Sequence, residues 1–556
     1  MEADCIIVGA GGSGAPLAAR LSEDPGRRVL LLEAGPAYAS RDQYPPELLD
    51  AGTIQAAMPG HPNNWSFPGQ LTPALSYAIA RGKTAGGSTA VNGGYFVRAR
   101  QEDFASWEAA GGPDWSASSV GAFYARLETD RQFGDLPGHG SDGPMTIDRP
   151  PQDHKITRAF REAAHQLGFP EEPDKNGGQL PGVGPLPMNV AGGVRLNTAL
   201  AYLEPAAGRE NLTVLGGTLV RRVLFEGTRA TGVEVERDGR VSVLRSPEII
   251  LCTGAIKTAH LLLLSGIGPR KELAAHGIAP LIHSPGVGRN FTDHPEVSVR
   301  WRPRRGVVDN SLPRAMESCL NFSSGLPGGA AWGDLEILPL LKPTGYLLSG
   351  SEQSMSLGIR PALRHPLRTF GALRSIPVRR LLQDWRHQDE LEFLVALQSE
   401  TARGQLTLQS ADPNEPPRLD YHYLSTAEDR ERMRLAVRTA AALLSSAAFR
   451  PLSRGISEPS ADILADDSLL DDWVQSRLGT ALHLSGTAKM GPAENPEAVV
   501  DPYGRVHGVQ GLRVADCSVL PSVTLRGPAA TAVMIGEFAA HHFRAGTRRP
   551  DGRPAA

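Results

Sequence analysis

The chain opens on apolar runs separated by glycine-rich breaks. Cys5-Ile6-Ile7-Val8 is a short apolar run and predicts a buried strand. Gly9, Gly11 and Gly14 follow in G-x-G-x-x-G spacing, Ala15 to Leu21 predicts a helix, and Val29-Leu30-Leu31-Leu32 predicts a second strand ending at Glu33. Strand, glycine turn, helix, strand and acid in this order predict a dinucleotide-binding unit. Gly9 permits the tight turn, Gly11 lets backbone approach a pyrophosphate, and Gly14 allows the helix to pack closely on the strand. The helix N-terminus offers unpaired N–H groups and a positive dipole end to the phosphates. Glu33 lies 19 residues beyond Gly14, where a carboxylate can hold both ribose hydroxyls and repels a 2′-phosphate. NADP is therefore disfavoured.

Strand-like runs return at Leu212–Leu215, Val220–Phe225, Gly232–Val235 and Ile249–Cys252, far in sequence from the first unit. Residues 101–200 and 300–475 lack this pattern. They hold Pro/Gly-rich loops, a helical segment at Glu428–Ser445, and alternating strands at Leu391–Leu397 and Gln405–Leu408. The expected fold class is α/β and discontinuous. A Rossmann-like nucleotide domain is assembled from 1–40, 75–100, 205–300 and 476–545. An α+β substrate domain, antiparallel sheet plus helices, comes from 101–204 and 301–475. Residues 546–556, rich in Arg, Pro and Gly, are expected to be a disordered tail.

At 556 residues the chain is long enough for several domains, and its net charge of -3 carries no nucleic-acid footprint. No apolar run approaches the roughly 18 residues of a membrane-spanning helix. The first strand begins by residue 5, which leads us to expect no signal peptide and a cytoplasmic location. Cys5, Cys252, Cys319 and Cys517 are scattered without metal-ligand or disulfide spacing, so no metal is expected.

Further motifs follow. Arg81-Gly82-Lys83-Thr84-Ala85-Gly86-Gly87-Ser88-Thr89-Ala90-Val91-Asn92-Gly93-Gly94 has few side chains, so its backbone can lie against a flat ring. Gly254-Ala255-Ile256-Lys257-Thr258 leads into Leu261 to Gly268. Then come Val287 to His294, His483-Leu484-Ser485-Gly486-Thr487-Ala488-Lys489-Met490-Gly491, Leu512 to Pro521 and Met534-Ile535-Gly536-Glu537. In this order the set resembles the glucose–methanol–choline (GMC) oxidoreductases, over residues 4 to about 545. The resemblance implies a two-domain FAD enzyme that oxidises alcohols.

By motif position, the resemblance assigns Gly9, Gly11, Gly14 and Glu33 to the ADP moiety and the backbone of Val220 to the adenine edge. It places Gly86, Gly87 and Asn92 beside the flavin, and Asp516 near the pyrophosphate and ribityl chain. Asp516 equally suits a helix N-cap. Val91 stands where some members form a histidyl–flavin bond. Valine cannot, so FAD is expected to be non-covalent. His483 occupies the family's catalytic histidine position, and an imidazole suits removal of a hydroxyl proton while hydride leaves the α-carbon. A second His or Asn is expected eight residues before Glu537, where this chain has Ala529. Three readings stay open: His483 acts alone, another group such as Arg526 or Thr531 holds the substrate oxygen, or the activity is altered. His294 is expected to be structural.

From Gln353 to Gln383 the chain has six arginines, no acid, and interleaved apolar residues broken by Pro361, Pro366 and Pro377. Such a segment suits a solvated lid over the substrate cleft, or peripheral contact with the inner face of the cell membrane and electron transfer to a quinone or the respiratory chain. Gly93–Ala99, Leu127–Asp130 and Arg526-Gly527-Pro528 resemble the mycofactocin-associated GMC dehydrogenases, which implies mycofactocinol as the alcohol. The rivals are a small-alcohol oxidase or choline-type dehydrogenase, and a flavin-containing lyase such as a hydroxynitrile lyase.

Overall fold

The computed structural model describes residues 3–349 and 389–546. The basic segment 353–383 and residues 547–556 of the expected tail lie outside them. Five short strands build the nucleotide sheet: β1 (Cys5–Val8), β2 (Val29–Leu32), β3 (Leu212–Leu215), β4 (Ile249–Leu251) and β5 (Leu512–Val514). All neighbours are parallel and the order is β3-β2-β1-β4-β5. Every residue of β1, β2 and β4 is buried, which is why these strands read as unbroken apolar runs rather than alternating ones. The α/β class with a Rossmann-like sheet is as the sequence predicts.

Helix α1 (Gly14–Leu21) follows β1, α2 (Gly254–Leu264) follows β4, and α3 (Ala529–Gly546) is the last helix among the described residues. The Met534-Ile535-Gly536-Glu537 run has a packing role. A Cβ on Gly536 would stand 2.4 Å from the Ser13 carbonyl oxygen, so only glycine lets α3 lie this close to the first turn. Arg20 Nε of α1 donates to both oxygens of Glu537, at 2.8 and 2.9 Å, and Tyr202 Oη donates at 2.9 Å. The last helix is thereby pinned to the first.

The second layer is a sheet of antiparallel neighbours in the order Ser453–Glu458, Pro295–Pro303, Leu391–Leu397, Leu335–Pro339, Ser318–Phe322, Val183–Pro185. One face carries Val297, Val299, Trp301, Phe393 and Val395, all buried, with helix Ala427–Ser445 packed on the sheet. Thr426 caps that helix by accepting the Asp429 N–H. Alternation puts Glu296, Ala396, Glu336 and Asn321 on the other face, in one row across four strands. Phe67–Thr72 and Leu75–Ile79 join a separate five-stranded sheet with Gly404–Thr407.

A buried ionic cluster ties the loop after helix Ala117–Leu127 to the rest. His139, with a side chain only 3% exposed, sits between Glu128 (Nδ1–Oε1 3.0 Å), Asp130 (3.5 Å) and Asp174 (Nε2–Oδ2 2.9 Å). Arg98 pairs with Glu128 at 2.6 Å, and Arg149 with Asp130 and Asp174 at 2.7 and 2.6 Å. Three carboxylates thus face three cations. Hydrogen bonds donated to Asp130, Asp174 and Glu128 push the His139 pKa up to about 10. The stabilisation is complete below the ordinary value of about 6.5 and is lost as pH rises through about 10. His139→Gln is expected to cost about 3 kcal/mol at pH 6 in urea unfolding, with the deficit shrinking as pH approaches 10. An equal deficit at both ends of that range would mean that His139 is held uncharged.

Candidate active site

A single long cavity runs from Leu219, Val220 and Leu261 to His483 and Gly527. Gly9, Gly11, Glu33, Gly87, Asn92, Val220, Asp516 and His483 all line it; Gly14 and Gly86 stand behind its wall. Gly9 has φ +98°, and a Cβ on Gly14 would fall 1.9 Å from the Gly9 carbonyl oxygen. These two glycines make the turn possible at all. Gly11 differs: its nearest protein neighbour would be the Gly87 Cα at 3.7 Å. The protein therefore has room for a side chain there, and the bare surface faces the cavity.

Glu33 Oε2 accepts the Ala10 N–H at 3.0 Å and Oε1 accepts the Gly35 N–H at 2.8 Å. Each oxygen keeps a further lone pair, enough for a diol. Burial pushes this carboxyl up to about 7 against the pull of those N–H groups. Val220 lies at a β-bulge, where the register with Arg229–Arg237 slips between Val220 and Arg222. The slip turns backbone away from the ladder at the cavity wall. Asp516 holds two elements at once: Oδ2 accepts from the Gly254 N–H (2.9 Å) and Thr258 hydroxyl (2.6 Å), and Oδ1 from the Ser518 N–H (2.9 Å). Its helix-capping role and its place in the wall coexist.

Sequence reasoning passed over one stretch of wall. The Lys83 and Lys257 ammonium groups lie 4.5 and 5.0 Å from the Trp65 ring centroid, and Lys257 is 3.1 Å from His260 Nδ1. Burial pulls Lys257 down to about 8, helped by Lys83. Both lysines lie within recognised motifs, and only the fold brings Trp65 between them.

At the other end, Gly479–Thr480 pairs with the start of strand Pro295–Pro303, so the residues flanking this pairing meet. Asp293 Oδ1 accepts the backbone N–H of His294 (2.7 Å) and of His483 (2.6 Å), and Oδ2 accepts the Thr480 hydroxyl (3.0 Å). Leu482 has φ +65°, a left-handed conformation that costs a branched residue of order 1–3 kcal/mol and aims the next side chain. His483 Nδ1 is 2.9 Å from His294 Nδ1, with the rings at 85°. Burial, then the nearby His294 and Arg81, hold His483 well below the ordinary histidine range. It is neutral at pH 7 and able to take a proton.

Its Nε2 faces Gly527, where a Cβ would stand 3.2 Å away. The residue opposite the base is thus Gly527, two positions before Ala529, which opens helix α3. Ala529, eight residues before Glu537 in the same helix, lines the cavity as well. Neither position carries a donor. Arg526 and Thr531 do not replace one. Arg526 is fully buried and donates to the carbonyls of Gly333 (2.9 Å), Leu525 (2.6 Å) and Trp332 (3.0 Å), and Thr531 Oγ1 is 2.7 Å from Tyr124 Oη.

Family models for GMC oxidoreductase match residues 4–296 and 400–536. The chain belongs to the GMC oxidoreductases. Among relatives of this GMC oxidoreductase, an uncharacterized GMC-type oxidoreductase in the thcA 5′ region of Rhodococcus erythropolis is 38% identical over 539 residues, 97% of each chain. An oxygen-dependent choline dehydrogenase of Brucella ovis is 34% identical over 552 residues, 98% of this chain and 96% of its own. The crystal structure of pyridoxine 4-oxidase from Mesorbium loti superposes with a TM-score of 0.84 at 28% identity, covering 98% of this chain and 99% of that one. As a GMC oxidoreductase the protein is an FAD-dependent enzyme acting on alcohol groups, which sets the lyase alternative aside. The cavity fits FAD: a diol-accepting Glu33, an open Gly11 surface, and the low wall Gly87–Asn92 leading to His483. Among the described residues no helix is long and apolar enough to cross a membrane.

Proposed function

We propose that this GMC oxidoreductase is a dehydrogenase of an alcohol that carries a positive charge, with His483 as the base and FAD held non-covalently. The observation that carries the reading is that His483 Nε2, neutral and unobstructed at Gly527, opens onto a cavity whose wall residue Tyr95 reaches the acidic sheet face at Glu336, 3.5 Å away. Bound FAD supplies the hydride acceptor. His483 takes the hydroxyl proton on Nε2 and holds it there. Val91, in the wall, has no group able to bond a flavin.

Glu296 lies two residues beyond His294 on the same face, and Glu336 two strands away, about 10 Å between backbones with only Ala396 in the row between them. Asn321 Nδ2 donates to Glu336 at 2.8 Å, and Tyr95, a cavity residue, reaches it at 3.5 Å. Burial, then Glu336, Glu392 and Asp293, push Glu296 up to about 8. A cation beside it would stabilise the carboxylate and draw that value down. The Brucella relative's name specifies choline, an alcohol with a fixed positive charge.

The mycofactocinol reading rests on short runs whose charged members serve the fold here: Arg98 pairs with Glu128, and Arg526 holds carbonyls. Transfer to a quinone or the respiratory chain, with membrane contact through 353–383, goes with a segment outside the described residues. The test compares choline with its neutral isostere 3,3-dimethyl-1-butanol, without oxygen, by bleaching of the bound flavin. Choline is expected to be preferred, with its KM falling as pH rises through about 8. Glu296→Gln should raise that KM about tenfold, some 1.4 kcal/mol, and leave the neutral alcohol unchanged. Equal rates for the two alcohols would end the cationic-substrate reading.

A further inference from the structure

A neutral imidazole has one donor nitrogen and one acceptor nitrogen, and which is which decides whether it can act as a base at a given atom. The cavity-facing atom of His483 is Nε2, so it serves as a base only if the ring's proton sits on Nδ1. An unpartnered imidazole favours the opposite arrangement, with the proton on Nε2. Something must therefore hold the His483 proton on the far side of the ring.

The only ring nitrogen placed to do so among the described residues is His294 Nδ1, 2.9 Å from His483 Nδ1. Two nitrogens at that distance share one proton. His294 is completely buried, and burial keeps it neutral, down at about 3. The backbone carbonyls of Thr524 and Gln398 face its ring and favour a proton there, although Nε2 makes no hydrogen bond of good geometry. A lone pair pointed at carbonyl oxygens is repelled, whereas an N–H is attracted. The His294 proton therefore belongs on Nε2, leaving its Nδ1 as an acceptor. The two backbone N–H groups on Asp293 Oδ1 fix the separation of the rings.

We propose that His294 is a positioning residue for the reaction: its Nδ1 lone pair accepts the His483 Nδ1–H, so that His483 Nε2 presents a lone pair to the cavity. The substrate hydroxyl proton then moves to His483 Nε2, and the resulting imidazolium keeps its Nδ1–H bond to His294. This rests on His483 as the base and assigns a function to a histidine that sequence reasoning takes as structural.

Ring nitrogen-15 NMR of the FAD-loaded enzyme with labelled histidine tests it without any substrate. Signals of His483 are assigned by their disappearance in His483→Gln. The expected wild-type result is a protonated Nδ1 and an unprotonated Nε2. In His294→Leu the proton should move to Nε2, and His294→Asn, whose amide oxygen can accept in the place of Nδ1, should restore the wild-type pattern. A protonated Nε2 in the wild type overturns the proposal even if the leucine variant fails to fold, as does an unchanged His483 pattern in a folded leucine variant. Normal flavin bleaching by an alcohol in His483→Ala would instead remove the base reading, so the two failures are distinguishable.

Discussion

Replacing His483 by alanine is expected to slow anaerobic bleaching of the bound flavin by an alcohol about 10²–10⁴-fold, the usual contribution of general-base catalysis. FAD content and melting temperature should stay close to wild type. The reason is local. The His483 ring meets His294 through one nitrogen, and its backbone bonds to Asp293 and Ser485 do not need the ring, while the residues that suit the dinucleotide lie at the other end of the cavity. Gly527 offers no side chain to take over, and Arg526 is committed to three carbonyls, so among the described residues neither of these neighbours can replace the imidazole. A variant that bleaches at nearly the wild-type rate would show that the hydroxyl proton leaves by another route.

The second large effect separates two glycines that look alike in the sequence. In Gly14→Ala the new methyl group would lie 1.9 Å from the Gly9 carbonyl oxygen and 3.0 Å from Cys252 Cβ. Neither atom can move without separating α1 from β1, so a loss of about 3 kcal/mol and of nearly all FAD is expected. In Gly11→Ala the methyl group meets nothing nearer than 3.7 Å in the protein. That variant should fold with an unchanged melting temperature in its FAD-free form and bind FAD about 10–100-fold more weakly, because the methyl group occupies space needed by the pyrophosphate. Thermal unfolding of the FAD-free proteins and flavin titration read the two effects separately. Equal destabilisation of both FAD-free variants would contradict this division of labour.

These contrasts show what was legible in the sequence. The parallel sheet could be read because strands buried on both faces are short apolar runs, and the runs at Cys5–Val8, Val29–Leu32, Leu212–Leu215 and Ile249–Leu251 all became neighbours. The helical segment expected at Glu428–Ser445 is the helix Ala427–Ser445. His483 could be singled out because its motif is local. What depends on two distant strands was not legible. The acidic row needs Glu296 and Glu336 brought into register through Leu391–Leu397, and nothing in either strand announces the other. The place of Gly527 against His483 Nε2 was not legible, because it precedes the helix that carries Ala529 and Glu537. His294 stood in a recognised run, but its contact with His483 was not legible, since the two lie 189 residues apart.

The pinning of α3 to α1 also constrains how the enzyme is made. β5 is synthesised some 500 residues after β1, and α3 later still, yet Gly536 and Glu537 complete the packing around the first glycine turn. Most of the chain must leave the ribosome before the turn has its final support. Contacts of such long sequence separation form slowly. The packing around the turn is therefore completed only once the C-terminal helix has been made, and a chain released a few dozen residues early would present its glycine turn without the helix that backs it.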